Sequence, residues 1–159
     1  MRNRVILLSE KKWHEELFYQ LKSEFNTIDW LLINNKSDFN LQLLNEFNPD
    51  KIFIPHWSYI IPEEIFSSFD CIVFHMTDLP FGRGGSPLQN LIVRGFKSTK
   101  ISAIKVQSGI DTGDVYLKKP LDLTGSAQEI FQRSTVIIEQ MIKEIIINNI
   151  HCLIIYFHF

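Results

Sequence analysis

The sequence has few cysteines and no long hydrophobic run. Its two cysteines, Cys71 and Cys152, lie far apart and match no metal-ligand spacing, so we expect reduced thiols and no metal site. No apolar stretch reaches the roughly 20 residues that a membrane-spanning helix needs. The apolar run near the amino terminus meets charged residues at once and does not resemble a signal peptide. These absences predict a cytoplasmic protein with no membrane partner.

The chain also lacks an excess of charge of either sign. Its 16 basic and 18 acidic residues give a net charge of -2, which provides no electrostatic reason to expect a nucleic-acid partner. The length of 159 residues and the hydrophobic fraction of 45% fit one ordinary globular domain. We expect a catalytic domain over 1-149 and an apolar tail over 150-159.

Hydrophobic periodicity predicts alternating strands and helices in the first half of the chain. Buried-strand runs alternate with a helical stripe through Trp13, Leu17, Leu21 and Phe25, and a helix capped by Ser37-Asp38. This order is typical of an α/β, Rossmann-like, open and mostly parallel sheet with helices on both faces. The predicted strands are 4-9, 28-34, 51-55, 71-74, 101-107 and 115-121. The predicted helices are 11-25, 38-47, 87-95 and 127-148.

Glycine is missing where a dinucleotide-binding protein would need it. The turn after the first strand, Ser9-Glu10-Lys11-Lys12, has none of the glycines that bring a pyrophosphate close to the backbone. The layout is therefore Rossmann-like, without the classical dinucleotide fingerprint.

Two segments carry the residue types of a catalytic site. His75 follows the strand run CIVF and begins a loop with Thr77, Asp78, Arg83 and three glycines. Ligands of open parallel sheets bind at the carboxyl ends of the strands, and histidine suits proton transfer. The second segment, Gly109 to Asp114, places Asp111 between two glycines in a turn. Alone, a loop histidine or an Asp-Gly turn is more often structural.

Together the two segments resemble the folate-dependent formyltransferase family. His75 matches the family histidine, and the resemblance extends over residues 49 to 121. The other matching features are the loop Met76-Thr77-Asp78-Leu79-Pro80, the pair Arg83-Gly84, the helix start Pro87 and the turn Asp111-Thr112-Gly113. The resemblance implies transfer of a formyl group from N10-formyltetrahydrofolate to a primary amine, by a Rossmann-like catalytic domain of the formyltransferase fold.

The resemblance also implies roles for individual residues. His75 would stabilise or protonate the oxygen of the tetrahedral intermediate, and Asp111 would orient His75. Arg83 would meet a phosphate of the acceptor. The predicted folate-binding residues are Trp57, Ser58, Tyr59, Ile60, Met76, Asp78, Leu79 and Ile110. The predicted substrate-binding residues are Thr77, Arg83, Gly84 and Gly85.

One position departs from the family pattern. The family has an asparagine two residues before its histidine, where this chain has Val73. Three explanations stay open. Asn90 or Thr77 supplies the missing donor, the chain manages with His75 and Asp111, or the protein is an inactive relative. We therefore add Asn90 to the candidate catalytic residues.

The acceptor is predicted from the loop. The run FHMTDLPFGRGGSPLQNLI most resembles formyltransferases of bacterial amino-sugar and pseudaminic-acid pathways, which implies a nucleotide-linked 4-amino-4,6-dideoxy sugar. The weakly acidic net charge and the early chain end are expected to disfavour methionyl-tRNA. Methionyl-tRNA, glycinamide ribonucleotide and a non-catalytic folate- or nucleotide-binding role remain the alternatives. The apolar run IHCLIIYFHF predicts an edge strand, a homodimer contact or a truncated reading frame.

Overall fold

The computed structural model describes residues 2-148, which fall into two compact units divided after Val73. The apolar tail and the boundary that we predicted near residue 149 lie outside the described residues. Within residues 2-148, no helix is long and apolar enough to cross a membrane.

The first unit contains a parallel sheet with the strand order β2-β1-β3-β4. Val5 to Leu8 are fully buried, which is the pattern of a strand covered on both faces. The register pairs Val5 with Trp30 and with Lys51, and pairs Ile52 with Cys71. The strands are β1 (Arg4–Ser9), β2 (Asp29–Ile33), β3 (Lys51–His56) and β4 (Cys71–His75).

The helices of the first unit are α1 (Trp13–Glu24), α2 (Leu41–Phe47) and α3 (Glu63–Phe66). The stripe that we predicted for α1 is wrong at its ends, because Trp13 is 51% exposed and Phe25 is the residue that caps the helix. The buried stripe is His14, Leu17, Phe18 and Leu21, which recurs at helical spacing. The short helix α3 was not predicted.

The predicted cap of α2 is also wrong. The helix begins after Asn40, whose side chain accepts a hydrogen bond from the Leu43 amide at 2.9 Å. Ser37 and Asp38 lie in a preceding turn, where the Asn35 side chain accepts from the Asp38 amide at 3.0 Å. Asparagine and aspartate are about equally good N-caps, so local sequence alone left three competing starts.

The second unit contains the end of β4, a short helix α4 (Pro87–Val93), an antiparallel pair β5 (Ser98–Lys105) and β6 (Val115–Asp122), and the long helix α5 (Ala127–Asn148). Ser98 pairs with Asp122 and Ile104 with Val115. Ser126 and Glu129 form a capping box at the start of α5, with hydrogen bonds of 2.8 and 3.2 Å. Helix α5 has the predicted bounds, whereas β5 begins and ends earlier than predicted.

The fold class predicted from the alternation of elements is confirmed as α/β and Rossmann-like. Strands β1 to β4 pair in parallel, and β5 pairs antiparallel with β6. His75 is the last residue of β4, so the sequence places it at the carboxyl end of a parallel strand. That end is where open α/β sheets bind their ligands.

Candidate functional site

His75 lies between two acceptors in the second unit. The side chain is buried, with 8% of its surface exposed. Its Nδ1 atom is 3.5 Å from the Asp111 carboxylate, and its Nε2 atom is 2.7 Å from the Gly82 carbonyl oxygen. Because a carbonyl oxygen only accepts hydrogen bonds, Nε2 carries the hydrogen. The structure therefore brings together His75 and Asp111, the pair that the sequence motifs singled out.

The Asp111 turn is fixed by close contacts. Asp111 has φ +52°, a left-handed conformation that aspartate tolerates better than most residues. A Cβ atom on Gly113 would lie 1.6 Å from the Lys105 carbonyl oxygen, so only glycine fits there. The Lys105 amide also donates to the Asp114 carbonyl at 2.9 Å. These contacts hold the turn against the end of β5 and set the direction of the Asp111 carboxylate.

The glycine-rich loop is attached to the same turn. The Gly84 amide donates to the Asp111 carboxylate at 2.8 Å, and Arg83 Nε donates to the Asp111 carbonyl at 3.2 Å. The predicted substrate residues Arg83 and Gly84 thus contact Asp111, and Gly85 follows them in the loop. Contact of Arg83 with a phosphate stays a prediction.

The segment after His75 is held from the neighbouring strands. Buried Ser102 on β5 donates to the Thr77 carbonyl at 2.7 Å and accepts from the Leu79 amide at 3.3 Å. Lys118 on β6 donates to the Asp78 carboxylate at 2.7 Å and also to the Leu79 carbonyl. The Thr99 hydroxyl donates to the Met76 carbonyl at 3.5 Å. The path of residues 76-79 is therefore set by side chains of β5 and β6.

Asp78 is an anchor of this segment. Its carboxylate lies between Lys118 at 2.7 Å and Lys100 at 3.6 Å. The hydrogen bond from Lys118, together with both positive charges, lowers the pKa of Asp78. The contact of Asp78 with folate stays a prediction. The sequence reasoning missed Ser102 and Lys118, because both sit in runs that read simply as strands.

Asn90 lies on α4 and is exposed. Its side-chain amide donates to the Gly85 carbonyl at 3.4 Å, at the start of its own helix. Among residues 2-148, the structure records no hydrogen bond between Asn90 and either His75 or Asp111. Ile110 is 70% exposed beside Asp111, and its predicted contact with folate stays a prediction.

The predicted folate-binding segment of the first unit is an aromatic cluster. The ring of Trp57 contacts those of Phe39 and Tyr59 edge-on, with centroids 5.6 and 5.5 Å apart. The Ser58 amide donates to the Glu10 carboxylate at 3.3 Å, and Ile60 is 92% exposed. The binding roles of Trp57, Ser58, Tyr59 and Ile60 stay predictions.

A second group of polar side chains lies in the first unit, where Ser9 ends β1 and His56 ends β3. Ser9 Oγ and His14 Nδ1 are 2.6 Å apart, and both side chains are buried. Burial, with the charges of His56 and Lys11, lowers the pKa of His14 to about 4. Burial and Lys11 also lower the pKa of His56. The sequence analysis did not single out this group.

Comparison with known proteins identifies the family. A family model described as formyl transferase matches residues 15-142, most of the chain. The chain belongs to the formyl transferase family. The match includes His75, the glycine-rich loop and the Asp111 turn, the three features that form the candidate site.

Among solved structures, a methionyl-tRNA formyltransferase from Clostridium thermocellum has a TM-score of 0.90 and 49% identity, over 94% of this chain and 67% of that chain. The formyltransferase PseJ from Anoxybacillus kamchatkensis, solved with UDP-4,6-dideoxy-4-formamido-L-AltNAc and tetrahydrofolate, has a TM-score of 0.71. It is 21% identical over 95% of this chain and 80% of that chain, a likeness that shows the fold alone.

A curated relative, methionyl-tRNA formyltransferase from Rickettsia canadensis, is 33% identical over 90 residues. This alignment covers 55% of the chain and 30% of the relative's length. The chain therefore matches less than a third of that longer protein.

Proposed function

We propose that the site transfers a formyl group from N10-formyltetrahydrofolate to a primary amine, with His75 and Asp111 as its catalytic residues. The observation that carries this proposal is the position of His75 between the Asp111 carboxylate at 3.5 Å and a carbonyl oxygen at 2.7 Å. An Nε2 atom that donates to a carbonyl oxygen is equally suited to donate to the oxygen of a tetrahedral intermediate.

The reaction needs one proton transfer and no redox step. The lone pair of the neutral amine attacks the formyl carbon, and the electrons of its C=O bond move to oxygen. When the intermediate collapses, the C=O bond re-forms and the bond to N10 breaks. The amine nitrogen loses a proton and N10 gains one, which leaves tetrahydrofolate and an N-formyl product. His75 stabilises the negative oxygen and assists the proton transfer, and Asp111 orients the imidazole.

Methionyl-tRNA is the acceptor that the similarity to known proteins favours. The protein from C. thermocellum, at 49% identity, and the curated Rickettsia relative both carry the name methionyl-tRNA formyltransferase. We had predicted no nucleic-acid partner from the net charge of -2, which speaks only weakly against a local RNA-binding surface.

A nucleotide-linked 4-amino-4,6-dideoxy sugar is the second candidate acceptor. It is supported by the resemblance of the loop HMTDLPFGRGGSPLQNLI to amino-sugar formyltransferases. Arg83 lies at the Asp111 turn with its Nε atom 3.2 Å from the Asp111 carbonyl, and its remaining guanidinium donors suit a diphosphate. RNA also presents phosphates, so Arg83 suits either acceptor.

A mass-spectrometric assay separates the two acceptors. The full chain is incubated with N10-formyltetrahydrofolate and, in parallel, with methionyl-tRNA and with UDP- and dTDP-linked 4-amino sugars. Gain of one formyl group on a single acceptor supports the proposal and names the substrate class. Bound folate with no formyl gain on any acceptor would instead favour a non-catalytic binding protein.

A further inference from the structure

Two donors in the site converge on one oxygen atom. His75 Nε2 donates to the Gly82 carbonyl at 2.7 Å, and Thr77 Oγ1 donates to the same oxygen at 3.4 Å. A carbonyl oxygen carries partial negative charge, and two donors aimed at one such oxygen form the arrangement that stabilises a developing oxyanion. The longer of the two bonds is of the kind that tightens when a charged intermediate replaces a neutral group.

Thr77 lies in a fixed and dry position. The residue is 1% exposed. The buried Ser102 hydroxyl accepts a hydrogen bond from the nearby Leu79 amide and donates one to the Thr77 carbonyl. A donor fixed before the reaction and shielded from water stabilises charge more strongly than a mobile, solvated one. This position therefore suits a catalytic donor, where a surface threonine would not.

Gly82 is the residue that lets a backbone oxygen reach both donors. Its φ of +72° is left-handed, and a Cβ atom there would lie 2.6 Å from Thr77 Cγ2. With no side chain in the way, the loop carbonyl fills the space between His75 and Thr77. An oxygen of the substrate that is to take this place must displace the Gly82 carbonyl.

Thr77 also answers the question raised by Val73. The family resemblance expects an asparagine amide at that position, and valine has no donor. Of the two replacements considered from the sequence, Asn90 donates to Gly85, while Thr77 shares an acceptor with His75. We propose that the Thr77 hydroxyl is a catalytic residue that, with His75 Nε2, binds the oxyanion of the tetrahedral intermediate, and that Gly82 O occupies this pair at rest.

This inference rests on the proposed formyl transfer, and a set of variants tests it. Thr77→Val and Thr77→Ala both remove the hydroxyl but differ in side-chain volume. The test can be made with either variant if the other does not fold. Thr77→Ser keeps the donor. Thr99→Val is the matched control, because it removes a hydroxyl that contacts the same segment at Met76. Within residues 2-148, the structure records no hydrogen bond from this hydroxyl to His75 or Gly82. Each variant is assayed for kcat and for the KM of N10-formyltetrahydrofolate.

We expect loss of the Thr77 hydroxyl to lower kcat about 10²–10³-fold, the usual effect of removing one oxyanion donor. The KM for N10-formyltetrahydrofolate should change less than about threefold, because the donor acts on an oxygen that becomes charged only during the reaction. Thr77→Ser, which keeps the donor, should retain most of the kcat that Thr77→Val loses. Thr99→Val should stay close to wild type. Adding Val73→Asn to Thr77→Val should restore part of kcat.

A second reaction separates failure of this inference from failure of the proposed function. Hydroxylamine, a small amine nucleophile, is offered as acceptor with the same formyl donor. A lower rate of hydroxylamine formylation in Thr77→Val than in the wild type supports the oxyanion pair, even if neither biological acceptor reacts. Wild-type turnover that Thr77→Val and Thr77→Ala leave unchanged would overturn the inference and leave the proposed function standing. Folate binding without formylation of any amine would overturn both.

Discussion

The two units of the molecule each bury a histidine, in opposite surroundings. His14 in the first unit meets a serine hydroxyl at 2.6 Å, and burial, with the positive charges of His56 and Lys11, lowers its pKa to about 4. His75 in the second unit faces a carboxylate at 3.5 Å and a loop carbonyl at 2.7 Å. Burial beside positive charges therefore keeps His14 neutral. A carboxylate near one ring nitrogen and a loop carbonyl at the other are the surroundings for which we propose a catalytic role.

The largest effect should separate the two histidines directly. We predict that His75→Asn lowers kcat about 10²–10⁴-fold, because it removes the group that donates to the oxyanion and moves protons. His14→Asn should change kcat by less than about threefold. Steady-state kinetics at saturating folate, on variants shown to be folded by circular dichroism, measure both. Equal losses in the two variants would contradict the contrast.

The next effect tests how the carboxylate is positioned. Gly113→Ala places a Cβ atom 1.6 Å from the Lys105 carbonyl oxygen, so the Asp111 turn must move away from β5. We predict a loss of about 1–3 kcal/mol in the free energy of unfolding, as in other overpacked sites, together with lower activity. Urea unfolding measures the stability, with Gly85→Ala as the control, since a Cβ atom on Gly85 meets no atom within 4 Å. An unchanged urea midpoint for Gly113→Ala would show that the Asp111 turn moves away from the Lys105 carbonyl without loss of stability, and would contradict this prediction.

The low pKa of His14 predicts a pH dependence of stability. The unfolded chain protonates this residue near pH 6.5, whereas the folded chain keeps it neutral down to about pH 4. Between these values the unfolded state binds more protons, so stability falls as the pH falls, by up to about 1.4 kcal/mol per pH unit. The free energy of unfolding, measured with urea between pH 7 and 5.5, should change less steeply with pH for His14→Asn than for the wild type. The pKa of His56 is also lowered, so His56 should contribute to the pH dependence of stability that remains in this variant.

The smallest effect concerns the anchor at Asp78. Lys118→Met removes the partly exposed ion pair between Lys118 and Asp78, whose charged atoms are 2.7 Å apart. Such pairs contribute about 0.2–1 kcal/mol to the free energy of unfolding. We predict a decrease in kcat/KM of at most about fivefold, with a difference from wild type that shrinks at high salt. Lys119→Met is a close control, because the neighbouring lysine pairs with Glu144 on α5 instead. An equal decrease in the control would argue against a specific role for Lys118.

The sequence predicted best what depends on local pattern. The bounds of α5 and the buried runs of the parallel strands were readable from spacing and residue type, and the pair His75 and Asp111 was implied by the resemblance to the formyltransferase family. Features that depend on distant partners were not. Ser102 reads as a small residue in a strand until its hydroxyl is found between Thr77 and Leu79, residues that are remote in sequence. The start of α2 was misplaced because Ser37, Asp38 and Asn40 are all competent caps.

The convergence of donors on Gly82 was equally out of reach of the sequence. Position 82 appears there as one of three glycines in a loop, and position 77 as one of several polar residues. Only the left-handed φ of Gly82 and the short approach to Thr77 single out these two residues. For the same reason Asn90 and Thr77 were equivalent candidates for the missing donor until their partners were known.

The most direct test of the central claim follows a labelled formyl group. N10-formyltetrahydrofolate carrying ¹³C in the formyl group is mixed with the wild-type chain and each acceptor amine, and the products are read by mass spectrometry. Asp111→Asn and His75→Asn are run beside it, with folate binding measured separately. We predict label on one acceptor nitrogen with the wild type, and loss of transfer with retained folate binding in both variants. Label that stays on folate with every amine, although the wild type binds it, would contradict the account.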